Sequence, residues 1–134
     1  MAHHILIIDD SADIRWMLSD LLESKGYHCE QASNAIDALS TIQNREFDLI
    51  LTDYQMPKMD GIEFLQNLAT MPRASATPVI MITATSSDAL TNTALTAGAC
   101  AVLTKPVHFD KLLFTITQNI SQSESQSSDT CYCT

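Results

Sequence analysis

Glycine is scarce in this sequence. There are three, Gly26, Gly61 and Gly98, where an average chain of this length carries about nine. A Walker A loop and a GxGxxG dinucleotide loop each need several glycines close together, so both are excluded. Basic residues are few, 7 against 16 acidic, for a formal net charge of −9. Without a basic face to neutralise phosphates, no nucleic-acid partner is expected. Long apolar runs are missing too. The longest resemble Ile5-Leu6-Ile7-Ile8, far short of the roughly 20 residues of a membrane span. No signal peptide is read at the N-terminus, and no membrane partner is expected. The four cysteines, Cys29, Cys100, Cys131 and Cys133, form no CxxC pair. Reduced thiols in the cytoplasm are therefore the expectation. Cys131 and Cys133 have no nearby histidine and make a poor zinc site.

What is present suits one globular domain. The chain has 134 residues, 46% hydrophobic and 17% charged, enough to bury roughly two thirds of its unfolded surface. Short apolar runs alternate with helical patterns. Ile5 to Ile8 reads as a buried strand ending at Asp9-Asp10, with Ser11 as an N-cap. Ile14, Met17, Leu18, Leu21 and Leu22 then follow helical spacing, and Gly26 stops the helix. His28 to Ala32 reads as a more polar edge strand. Asn34 caps a second helix carrying Ala35, Ala38, Leu39 and Ile42. Phe47 to Thr52 is a buried strand ending at Asp53, followed by a loop with Pro57 and Gly61. Ile62, Leu65, Leu68 and Ala69 mark a third helix. Pro78 opens a strand from Val79 to Thr83, and a helix from about Asp88 to Ala97 ends at Gly98. Ala101 to Thr104 is the last strand, and Phe109, Leu112, Leu113, Ile116 and Ile120 give the last helix. Five β-α units imply a parallel sheet covered on both faces. Residues 1–120 form this domain, and residues 121–134 read as a polar, mobile tail rich in Ser and Gln.

In an open parallel sheet, ligands bind beyond the carboxyl ends of the strands. There the sequence delivers Asp9, Asp10, Asp53, Thr83 and Lys105, with Pro106 next. Three crowded carboxylates repel, and a cation relieves them. Hard oxygen ligands suit Mg²⁺, or Mn²⁺ in its place, and nothing soft is near to favour zinc or copper. A lysine and a hydroxyl beside such a metal match the needs of a phosphoryl group. An Asp carboxylate can itself be the nucleophile, and Asp53, alone at the end of a central strand, is the best placed. Alone, Asp9-Asp10 could equally cap the first helix, Thr83 could be an ordinary strand end, and Lys105 a solvated lysine. Gly61 reads as a loop residue needing a permissive φ, and Arg15 as a solvated helix residue.

Four motifs in order resemble the receiver domain of two-component response regulators, in the stand-alone form of chemotaxis regulators. They are Ile5-Leu6-Ile7-Ile8-Asp9-Asp10, the segment from Asp53 to Gly61, Thr83-Ala84 and Lys105-Pro106. The resemblance runs from about His4 to Ile120. It implies a flavodoxin-like, doubly wound α/β fold with strand order 2-1-3-4-5 and five helices. It implies Asp53 as phosphoacceptor, with Asp10, Asp53 and the backbone carbonyl of Gln55 as direct Mg²⁺ ligands. Asp9 would hold metal mainly through water, Thr83 would be the switch hydroxyl and Lys105 the phosphate-binding lysine. The Lys105-Pro106 bond is expected to be cis. Many receivers carry Tyr or Phe three residues before that lysine. Here the position is Val102, which has no ring to swing.

The resemblance also implies a sensor histidine kinase or histidine phosphotransfer protein as partner. The function expected is a signalling domain that catalyses its own phosphorylation and dephosphorylation, with no separate turnover substrate. Output would pass through protein contacts to an unspecified target. Trp16 falls between the apolar positions of the first helix. Packing is its plainer reading; a contact with the kinase is the other, because receivers use that helix in docking. From Ala89 to Ser123 only Lys105, Asp110 and Lys111 are charged. The fourth helix, fifth strand and fifth helix should therefore present a nearly neutral face, open to a homodimer. Three other readings remain. An Asp-nucleophile hydrolase would usually carry an acid where Gln55 stands, a flavin site would be repelled by the acidic cluster, and a receiver that docks without phosphorylation would not need the full acidic set.

Overall fold

A computed structural model describes residues 3–72 and 74–124, with side chains through residue 120. Five parallel strands lie in the order β2-β1-β3-β4-β5. They are β1 (His4–Ile8), β2 (His28–Ala32), β3 (Leu49–Asp53), β4 (Val79–Thr83) and β5 (Ala101–Thr104). The long helices are α1 (Ala12–Glu23), α2 (Ala35–Asn44), α3 (Gly61–Leu68), α4 (Asp88–Ala97) and α5 (Phe109–Glu124). Among the described residues no helix is long and apolar enough to cross a membrane.

Successive strand residues face opposite sides of the sheet, and both sides are apolar. Ile5 and Ile7 join Leu49, Leu51, Ile80 and Ile82 under Leu18 and Leu22 of α1 and Leu112, Ile116 and Ile120 of α5. Leu6, Ile8, Ile50 and Met81 form the other layer, under α2, α3 and α4. The sheet interior is thus dry on both faces, and the open chemistry is confined to its ends. Strand β2 is the exception, with alternate residues exposed, which fits its place at the edge.

Local signals explain most boundaries. Ser11, Asn34 and Ser87 accept hydrogen bonds from Ile14, Asp37 and Leu90 amides and cap α1, α2 and α4. Gly98 follows α4 with φ 121°, a left-handed turn open to glycine. Two boundaries differ from the sequence reading. Strand β3 starts at Leu49 rather than Phe47. Asp48 instead brackets the start of β1, its amide donating to the His4 carbonyl at 2.8 Å and its carboxylate accepting from the His4 amide at 2.7 Å. Helix α5 runs to Glu124, past Ile120, where its apolar spacing ends. The rest of the expected tail, with Cys131 and Cys133, lies outside the described residues.

Candidate functional site

The carboxyl ends of four strands supply the functional groups. Asp9 follows β1, Asp53 ends β3, Thr83 ends β4 and Lys105 follows β5. Registers align these ends. Ile8 pairs with Thr52, Asp53 with Ile82, and Thr83 with Thr104. The Lys105 amide donates to the Thr83 carbonyl at 2.7 Å, and the Lys105-Pro106 bond is cis, as expected.

Asp9, Asp10 and Asp53 each offer an oxygen within 4.8 Å of the others. Asp10 is exposed, while Asp9 and Asp53 are 4% and 8% exposed. The Lys105 Nζ lies 3.5 Å from Asp9 Oδ2 and 3.4 Å from Asp53 Oδ1. Asp9 Oδ1 accepts from the Ser11 amide at 2.9 Å, and Asp53 Oδ1 from the Tyr54 amide at 2.9 Å. Both contacts of Asp53 fall on Oδ1; among the described residues Oδ2 has no partner. Burial pushes the Asp53 carboxyl up from its ordinary value, the Asp9 charge adds to the rise, and Lys105 with the Tyr54 amide opposes it. One ammonium does not neutralise three carboxylates. The cluster is therefore suited to a divalent cation held by hard oxygen donors.

Beside the cluster lies an open cleft of about 520 Å³ lined by Asp10, Tyr54, Gln55, Met56, Pro57 and Asp60. It gives solvent access to the acidic group from the β3–α3 loop. Thr83 is buried, and its hydroxyl accepts from the Thr85 amide at 3.0 Å, which orients the oxygen at the strand end. Val102 is half-buried in register with Met81 and packs against the α2–α3–α4 layer.

Arg15 and Gly61 behave differently from their sequence reading. Arg15 is not simply solvated. Its Nη1 donates to the Asp9 carbonyl at 2.6 Å and its Nε to Gln31 Oε1 at 3.2 Å. A signal for this existed: side chains early in a helix point back toward its N-terminus, here toward the end of β1. Gly61 is needed for close approach rather than for φ. A Cβ there would lie 2.8 Å from the Asp53 carbonyl oxygen and 2.8 Å from Met81 Cε. The loop's positive φ belongs to Lys58, at 76°. Asp60 and Glu63 form a reciprocal capping box at the start of α3, a D-x-x-E pattern the loop reading passed over. Trp16, which falls between the apolar positions of α1, is 66% exposed.

The sequence matches the response regulator receiver domain family over residues 5–117. It is 37% identical over 119 residues to the transcriptional regulatory protein ZraR of Klebsiella oxytoca, covering 89% of this chain and 26% of that protein. It is 34% identical over 113 residues to the sensor histidine kinase RcsC of Escherichia coli, covering 84% of this chain and 12% of that one. The chain thus spans about a quarter or less of these two relatives. The fold superposes on the chemotaxis protein CheY4 of Vibrio cholerae with a TM-score of 0.85 and 33% identity, covering 89% of this chain and 99% of that one. It also superposes on a CheY-like receiver domain of Methanospirillum hungatei with a TM-score of 0.88 and 33% identity, covering 95% and 100%. Acidic loops set at the strand ends of a 2-1-3-4-5 sheet, together with these likenesses over nearly the whole fold, place the chain in the response regulator receiver domain family.

Proposed function

We propose that this receiver accepts a phosphoryl group from a phosphohistidine of a sensor kinase or phosphotransfer protein onto Asp53. One observation carries the reading: Asp53 is buried beside Lys105 within an acidic trio, with no partner on Oδ2 among the described residues and a cleft open alongside. Asp53 Oδ2 attacks phosphorus, the P–N bond to the donor imidazole breaks, and the imidazole nitrogen takes up a proton. Mg²⁺, or Mn²⁺, would neutralise the developing charge on the phosphoryl oxygens, held by Asp10, Asp53 and the Gln55 carbonyl, with Asp9 through water. Lys105 balances charge on one phosphoryl oxygen, and the Thr83 hydroxyl is oriented to donate to another. Hydrolysis at the same site would return the free carboxylate, so the domain catalyses its own modification in both directions. A new dianionic group at the strand edge then shifts a two-state equilibrium.

Incubation with acetyl phosphate and Mg²⁺, followed by intact mass measurement, tests this. Wild type should gain one phosphoryl group and Asp53→Asn none. An unmodified wild type, or equal labelling of the variant, overturns the assignment. The exposed Trp16, with Met17 exposed beside it on α1, supports this helix as the contact for the phosphohistidine partner. Trp16→Ala should slow transfer from the cognate kinase and leave acetyl phosphate labelling unchanged.

For output, the α4–β5–α5 side is the second element of the proposal. Its low charge is joined by exposed Leu95 on α4 and Phe114 on α5, 44% and 64% exposed, which supports self-association there. Sedimentation with and without a phosphoryl mimic tests it; a monomer in both states at high concentration rejects it.

A further inference from the structure

Strand β3 carries a hydroxyl in an apolar layer. Thr52 is 1% exposed, and its register partners on the neighbouring strands are Ile8 and Met81. Both belong to the core packed beneath α2, α3 and α4. Valine has nearly the same shape, suits a strand as well and brings no polar atom to be desolvated. Packing alone therefore does not demand threonine. The hydroxyl is used locally: Oγ1 donates to the Asp53 carbonyl oxygen at 3.0 Å.

That carbonyl and the Tyr54 N–H are the two ends of one planar peptide unit. The Tyr54 N–H donates to Asp53 Oδ1 at 2.9 Å and to the Ile82 carbonyl at 3.0 Å. The Tyr54 carbonyl in turn accepts from the Gly61 amide at 2.8 Å. The Asp53 carbonyl oxygen faces Gly61 so closely that a Cβ there would stand 2.8 Å away. The peptide plane after Asp53 is thus held at its carbonyl end by Thr52 and bonded at its amide end to the Asp53 carboxylate.

We propose that Thr52 is a positioning residue for Asp53: its hydroxyl fixes the Asp53–Tyr54 peptide plane, and so fixes which carboxylate oxygen is engaged and which is left to attack. This role rests on the reading of Asp53 as phosphoacceptor. A carboxylate turns easily about its last torsion, whose wells are broad. With the plane fixed, the Tyr54 amide holds Oδ1 and leaves Oδ2 for phosphorus. With the plane free to tilt, the amide loses its alignment and the carboxylate turns out of the productive orientation. Donation into the carbonyl also strengthens the N–H at the other end of the same peptide. Thr52 touches no reacting atom, and its replacement by an uncharged residue leaves the charge of the site unchanged.

The test separates shape from hydroxyl. Thr52→Val keeps the shape and removes the donor; Thr52→Ser keeps the donor and removes a buried methyl group. Acetyl phosphate labelling of the full chain in saturating Mg²⁺ is followed by intact mass, and the Tyr54 amide by NMR on the unphosphorylated chains. Thr52→Val should label about three- to tenfold more slowly, the worth of one neutral hydrogen bond, with the Tyr54 amide proton shifted upfield as its bond to Oδ1 weakens. Thr52→Ser should label within about twofold of the parent, with the Tyr54 amide in place, although the lost methyl lowers its Tm. A purely structural threonine would instead make labelling track Tm. Parent-like labelling in Thr52→Val, equal slowing in both variants, or slow labelling with an unmoved Tyr54 amide overturns the proposal. Should Thr52→Val fail to fold, Thr52→Ala against Thr52→Ser repeats the comparison, the two differing by one oxygen atom. A parent that never labels defeats the phosphoacceptor reading and this role with it; a parent that labels beside an equally fast Thr52→Val defeats this role alone.

Discussion

The Arg15 guanidinium donates to the backbone carbonyl of Asp9 at 2.6 Å while its other face donates to Gln31 Oε1 at 3.2 Å. One side chain on α1 thus ties the end of β1 to the edge strand β2. The peptide it grips belongs to the residue whose carboxylate lies 3.5 Å from Lys105. Arg15 touches no reacting atom; it positions Asp9.

Arg15→Ala should therefore loosen the acidic cluster without changing its charge count. Loss of charged hydrogen bonds from a half-buried group costs about 1–2 kcal/mol of stability. Mg²⁺ affinity should fall several-fold, read by calorimetry. Arg15→Lys can reach one acceptor but not both in a fork and should recover only part of the affinity. Unchanged affinity in Arg15→Ala would leave Arg15 a purely structural tie.

The Asp53 carboxyl gives a prediction with a definite sign in pH. Its folded value is raised above 3.8, first by burial and then by Asp9. Well below 3.8 both folded and unfolded chains are protonated, and the group contributes nothing. As pH rises, the unfolded chain ionises first, so folding loses stability until the raised folded value is passed. Asp53→Asn removes that loss. At pH 7 the variant should be the more stable of the two and melt at the higher temperature. The gain should shrink toward zero in acid. Saturating Mg²⁺ should raise the Tm of wild type more than that of the variant. A variant no more stable than wild type at neutral pH would contradict the raised value.

Gly61 offers a steric prediction. A methyl group there meets a backbone oxygen at 2.8 Å, that of Asp53 itself, and a strand carbonyl cannot yield as a flexible side-chain end can. Gly61→Ala should cost about 1–3 kcal/mol and slow phosphorylation by shifting Asp53. Normal stability with normal labelling would show that the β3–α3 loop absorbs the methyl.

The sequence was most readable where one residue type answers to one local cause. Ser11 and Asn34 announce helix starts, Pro78 precedes β4, and Gly98 closes α4 because a left-handed turn needs it. The acidic residues and Lys105 were readable because strand ends in a parallel sheet share one edge. Less readable were features set by which groups meet across the fold. Arg15 resembles any helix arginine until the end of β1 is placed beneath it. Gly61 looks like a loop glycine until β3 and Met81 press against it. Trp16, by contrast, falls between the apolar positions of α1, a spacing that already turns it outward.

Lys105 supplies the prediction with the sharpest contrast. Its ammonium stands 3.4 Å from Asp53 and 3.5 Å from Asp9, so it competes with any cation for the same carboxylates. Lys105→Met keeps the length of the stem and removes the charge. Mg²⁺ should then bind more tightly, because the trio has lost its one neutralising partner. Phosphorylation by acetyl phosphate should nonetheless slow by about 10²-fold or more, the scale for losing one charge-stabilising donor in a transfer step. A purely structural lysine would move both quantities in the same direction, or neither. Parallel Mg²⁺ titration and labelling rates on the same samples separate the cases, and tighter metal with slower labelling is the outcome expected of a group that acts on the phosphoryl oxygens.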